Sequence, residues 1–150
     1  MGEAKEGRRR MASGYYRAAM GFPALKTLAL IGGAYDLVLS IPMLLAPEWT
    51  ARLFGAPPPS PVLNAQLNGL FTLTLALGYF WCARDVGARR GYLWVAGVFV
   101  KVVGAALFVG DHFLRGSPAS FLLFAATDGT IGLLTLGALV STSRPGSERA

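Results

Sequence analysis

Four long apolar stretches run along this chain, over about residues 24–46, 62–83, 91–110 and 118–140, with short polar joints between them. A helix rising about 1.5 Å per residue needs roughly 20 apolar residues to cross the hydrocarbon core of a bilayer. Each stretch reaches that length. The pattern predicts an all-α integral membrane four-helix bundle, with a basic segment at 1–22, a transmembrane domain at 23–140 and a polar tail at 141–150.

Three of the stretches are interrupted near the middle by a single charge: Asp36, Lys101 and Asp128. Asp36 stands ten residues after Lys26, Lys101 ten after Gly91, and Asp128 ten after Pro118. At about 1.5 Å per residue each lies about 15 Å from the end of its own stretch, so all three fall near one depth. A charge at the centre of a bilayer costs about 2.5–3.5 kcal/mol on insertion scales. One cation and two anions at a shared level therefore predict a buried network.

Helical spacing aligns residues three or four apart, and it surrounds each charge with small or polar neighbours. Gly32, Asp36 and Ser40 share a face, as do Gly97, Lys101 and Gly104, and Asp128, Gly132 and Thr135. The second stretch has no mid-depth charge but carries Asn64, Asn68 and Thr72 on one stripe, with Gln66 off it. Four such stripes predict a polar pocket at mid-depth. Its candidate ligand-binding residues are Asp36, Lys101 and Asp128 as a floor, with Asn64 and Asn68 as an outer wall. A plainer alternative is an Asp–Lys–Asp clamp that fixes packing without binding anything, because buried ion pairs add little net stability. Lys101 alone would suit amine chemistry, but two carboxylates within reach favour an ion pair.

The joints add detail. Residues 47–61 begin Pro47-Glu48-Trp49 and end in a run rich in proline. Proline at the first helical position and an acid in the first turn suit a short interfacial helix, with Trp49, Leu53 and Phe54 toward lipid and Arg52 toward water; an irregular loop fits equally well. Pro42 is placed to kink the first stretch. Asp111 and His112 follow the third stretch and read as an exposed loop pair. Tyr35 reads as packing. Cys82 lies near the inner interface, where palmitoylation is a weak option.

Basic residues set the expected orientation. Lys5, Arg8, Arg9, Arg10, Arg17 and Lys26 flank the first stretch, Arg84, Arg89 and Arg90 fill the second joint, and Arg144 and Arg149 lie in the tail. The opposite joints hold only Arg52 and Arg115. Cytoplasmic loops carry the excess of Lys and Arg, so both termini are expected in the cytoplasm. The first stretch resembles a signal peptide in its basic flank, but its length and the lack of a small-residue cleavage site fit a retained helix.

Composition narrows the chemistry. The chain of 150 residues is 53% hydrophobic and 15% charged, against about 25% charged in soluble domains. Its net charge of +6 sits at the ends of apolar runs, not in a basic–aromatic surface, which argues against nucleic acid. One cysteine excludes an intrachain disulfide and CxxC metal sites, and one histidine excludes a bis-histidine haem, so no metal is expected and no cofactor is identified. No P-loop, HExxH, nucleophile elbow or dinucleotide fingerprint occurs.

Tyr35-Asp36, the segment Pro47-Glu48-Trp49-Thr50-Ala51-Arg52-Leu53-Phe54-Gly55, Lys101-Val102-Val103-Gly104-Ala105 and Asp128 together resemble small bacterial four-span membrane proteins of the DoxX-like kind. The resemblance covers about residues 24–140. It implies a bacterial inner-membrane location and, through some DoxX-type proteins, a weak link to quinone-dependent sulfur oxidation; it transfers no catalytic residue. The function expected is a binding or accessory membrane protein for a small amphipathic molecule, quinone- or lipid-like. A membrane enzyme of isomerase or cyclase type, with Asp36 or Asp128 as general acid or base, and an oligomeric transporter or channel subunit are the alternatives. Expected partners are membrane lipid, a hydrophobic small molecule, and a second copy or another membrane subunit.

Overall fold

Proline and glycine decide where the helices start and stop. In the computed structural model the backbone is described for residues 3–143 and the side chains for 22–142. The basic side chains ahead of Phe22 and the polar tail past Ser143 lie outside the described residues. Helix α1 runs Glu3–Leu45 with Pro23 and Pro42 inside it. Pro47 then opens α2, Pro47–Leu53, with Glu48 in its first turn. Gly55, at φ +67°, turns the chain as only glycine does cheaply. Past the proline-rich turn comes α3, Val62–Arg84.

The next rod is continuous over Arg90–Arg115 but not uniform. It comprises α4 (Arg90–Tyr92), a π-helical segment (Leu93–Val100) and α5 (Lys101–Arg115). Gly116 ends it in the left-handed conformation at φ +72°, a common helix C-terminus. Helix α6, Phe121–Ser143, completes the chain, and no strand occurs among the described residues.

The rods pack antiparallel in sequence order. On α3, Gly69 lies against Met43 and Leu44 of α1, and Tyr79, ten residues on, lies against Gly32. On α6, Gly129 faces Ala105, Gly132 faces Lys101 and Val102, and Thr135 faces Gly97. The small residues expected on the stripes are thus where the backbones approach.

Among the described residues, three helices are long and apolar enough to cross a membrane: Phe22–Leu45, Arg90–Arg115 and Phe121–Thr142. Four were expected. At 23 residues α3 has the length of a span, but Asn64, Gln66, Asn68, Thr72 and Thr74 dilute its apolar character. Burial runs opposite to that of a soluble bundle. Asp36, Ser40, Lys101 and Thr135 are inside, while Val38, Phe71, Leu107 and Phe113 point outward. Large apolar side chains outside and polar ones inside suit helices whose solvent is lipid.

Candidate functional site

The three mid-depth charges meet. Lys101 Nζ donates to Asp36 Oδ1 at 2.6 Å and to Asp128 Oδ1 at 2.9 Å. Each is brought there by a local cause. Gly132 leaves room on α6 for the backbone at Lys101 and Val102, where an added Cβ would collide. The π segment ends directly before Lys101 and sets its rotation about the rod. Asp36 sits one turn after Gly32, where the ring of Tyr79 occupies the space a Cβ would need.

The three side chains are not equally enclosed. Lys101 and Asp36 are 4% and 2% exposed, and Asp128 is 14% exposed. Tyr35, expected only to pack, lays its ring 4.6 Å from the Lys101 ammonium and bonds its hydroxyl to Thr127 Oγ1 at 2.8 Å. Two carboxylates against one ammonium leave the cluster with a formal surplus of one negative charge.

The cluster forms the floor of a cavity of about 840 Å³. Leu39, Pro42, Leu75, Phe108, Phe121 and Phe124 wall it. Pro42 has no amide to give the carbonyl of Val38, so α1 loosens where it borders the cavity. The roof is α2 and the turn after it, through Trp49, Thr50, Leu53, Phe54 and Pro57. Of the two residues expected as outer wall, Asn68 lines the cavity, and Thr72 lines it too. Asn64 is exposed at the start of α3 and is not part of the lining.

Several sequence expectations need correction. Phe54 does not face lipid: its ring lies 4.7 Å from that of Phe124, and its carbonyl accepts a 2.5 Å hydrogen bond from Ser120 Oγ. These two contacts tie the roof to the start of α6. Trp49 and Leu53 also border the cavity, although both keep an exposed side. Of the two readings left open for this segment, the short helix is the one that forms. Asp111 and His112 are not an exposed loop pair but the end of α5. Asp111 accepts from Arg115 at 2.9 Å and from the Ser117 hydroxyl, and His112 Nδ1 lies 2.7 Å from the Ser117 carbonyl oxygen. Cys82 is buried, with its thiol 3.5 Å from the Arg89 carbonyl oxygen, and does not offer an acylation site.

Sequence reasoning missed the aromatic wall and the π segment. Phe108, Phe121 and Phe124 had a signal in their spacing, since Phe121 and Phe124 share a face of α6. No group of three His, Cys, Asp or Glu side chains able to hold a metal occurs among the described residues. No family model, no curated protein and no solved structure matches this chain.

Proposed function

We propose that this chain is an integral membrane protein of four spans whose mid-depth pocket holds a small amphipathic molecule, in the manner of a binding or accessory subunit. The observation that carries the reading is the cavity itself: an apolar chamber of about 840 Å³ with one buried ionic cluster at its base. A clamp needs the ions but not the chamber. Ligand pockets of about 300–1,000 Å³, mostly apolar with a few convergent polar groups, are the usual form of small-molecule sites.

Placement supports the same reading. Helix α3 joins the three apolar helices as a fourth rod, antiparallel to α1, and we count it as the fourth span. The basic residues of the Arg84–Arg90 turn support a cytoplasmic side for that end in the bacterial inner membrane we propose. Below the cluster, Tyr79, Leu93 and Leu139 are fully packed, which favours a pocket closed at one end over a through-path. The residues behind the DoxX-like look, Tyr35-Asp36, Lys101 and Asp128, are those of the pocket floor.

The test is retention. Wild type and Ala65→Trp, which fills the chamber from α3 without touching the ions, are purified in the same mild detergent. Their extracts are compared by mass spectrometry, with circular dichroism as the folding control. A molecule held by wild type and lost from Ala65→Trp is expected. Identical extracts from two folded proteins would reject the pocket as a binding site.

A further inference from the structure

The floor of the chamber has committed most of its donors and kept its acceptors. An ammonium carries three N–H groups and accepts nothing. Lys101 gives one to each carboxylate, and the face of Tyr35 covers it from 4.6 Å. Two of its three N–H groups are therefore committed, and the third lies on the side that Tyr35 screens. The carboxylates are less committed: Lys101 engages only Oδ1 of each, and Asp36 Oδ2 is buried without any partner. A buried acceptor left unpaired is costly, and more so when it belongs to a charged group. The surplus negative charge is reached from the chamber through Asp128, the most open member of the three.

The walls point the same way. Phe54, Phe108, Phe121 and Phe124 form a connected aromatic set beside this floor, with neighbouring ring centroids 4.7–6.0 Å apart. Aromatic faces carry partial negative charge and attract cations, most strongly where water is excluded. A bare metal ion is excluded as the occupant, because hard cations need about six oxygen ligands and this chamber is mostly apolar. An anionic head group would meet repulsion. A head group offering only carbonyl acceptors, such as an oxidised quinone, would have to compete with the face of Tyr35 for the single N–H that the carboxylates leave.

We propose that the pocket selects an amphipathic monocation: a protonated amine head on Asp128, drawn also by the charge of the buried Asp36 behind it, with an apolar or aromatic body among the phenylalanines. This rests on the pocket reading above and names its ligand class. The bound amine supplies the missing positive charge, so floor and ligand together are neutral, two carboxylates against two ammonium groups.

The test uses three fluorescent probes of matched size, pyrenemethylamine, pyrenemethanol and pyrenecarboxylic acid. Each is titrated onto the full chain in zwitterionic phosphatidylcholine nanodiscs, with empty discs as the partition control. The amine is expected to bind about tenfold or more tightly than the alcohol, with the acid weakest, a gap of one decade in Kd. In Asp128→Asn the amine-to-alcohol ratio should fall toward one. Should that variant not fold, Phe124→Leu serves instead and should weaken the amine more than the alcohol. Equal binding of amine and alcohol by wild type, or preference for the acid, would overturn the cation inference while leaving the pocket in place. Absence of saturable binding by all three probes would overturn both.

Discussion

The two ends of the bundle are built on opposite terms. At the end bearing Arg84–Arg90, the helices close on one another. Leu25, Ala29, Tyr79, Cys82, Leu93, Ala96 and Leu139 form a buried cluster, and the rings of Tyr79 and Tyr92 meet edge to face at 5.4 Å. At the end bearing α2, the same rods stand apart around an open chamber. The difference lies in how space is filled: at the closed end Ala29 and Ala96 let Leu25, Tyr79, Leu93 and Leu139 occupy the space between the helices, whereas at the open end Phe54, Phe108, Phe121 and Phe124 line a space they leave open. The Asp36–Lys101–Asp128 cluster sits on the seam. It teaches that the ions are not needed to fill the core; the closed end does so with apolar and small side chains.

The largest expected effect breaks that seam. In Lys101→Met the buried Asp36 and the part-buried Asp128 lose the ammonium that pairs with both, at a cost of about 3–5 kcal/mol if the site stays dry. Thermal unfolding in detergent should show a strongly lowered midpoint. Adding Asp36→Asn to the same chain should recover part of the loss, because the two residues are in contact and their effects do not add. Absence of coupling between them would mean that the ion pair does not exist in the membrane protein.

A smaller effect should separate the two ends directly. A Cβ at Gly78 would run into the Tyr92 hydroxyl, whereas a Cβ at Gly104 would meet nothing closer than Asp128 Oδ2 at 3.8 Å. Gly78→Ala should cost about 1–3 kcal/mol by overpacking the closed end. Gly104→Ala should fall within about 0.5 kcal/mol of wild type or better, since alanine favours helix. Equal costs for both, in the same unfolding assay, would contradict a closed and an open end.

The smallest effect probes one bond of the closed end. Tyr92 donates to the carbonyl of Leu75 across the helices at 2.6 Å. Tyr92→Phe keeps the ring and removes the bond, for an expected loss of about 0.5–1.5 kcal/mol. Hydrogen exchange at the α3 amides near Leu75 should report the loosening, while the exchange of α2 stays unchanged.

The ion cluster was legible in the sequence because helix rise hardly varies, so counting ten residues along each of three rods fixes three depths at once. Rotation was less legible. Asn64 and Asn68 share a stripe by spacing, yet only Asn68 lines the cavity, because at the exposed start of α3 it is Ala65, not its neighbour Asn64, that borders the chamber. Phe54 was misread for another reason. An apolar face on a short helix reveals that something apolar will cover it, not whether that is lipid or the helix's own bundle. The π segment left no readable mark, since Leu-Trp-Val-Ala-Gly-Val-Phe-Val would be unremarked in an α-helix.

That segment has a consequence for how the gene can change. Lys101 stands nine positions after Tyr92, roughly two and a half turns at 3.6 residues per turn, which would set them on opposite faces of a regular α-helix. Wider turns, bonded i→i+5, wind through less angle per residue and turn both toward their partners, Leu75 and Asp36. The rod therefore holds slack in phase at one place only. Loss of a single codon within Leu93–Val100 can be absorbed by converting wide turns to ordinary ones, with Tyr92 and Lys101 still docked. The same loss between Lys101 and Phe108 has no such slack to draw on, and would swing the aromatic wall at Phe108 out of line with Phe121 and Phe124.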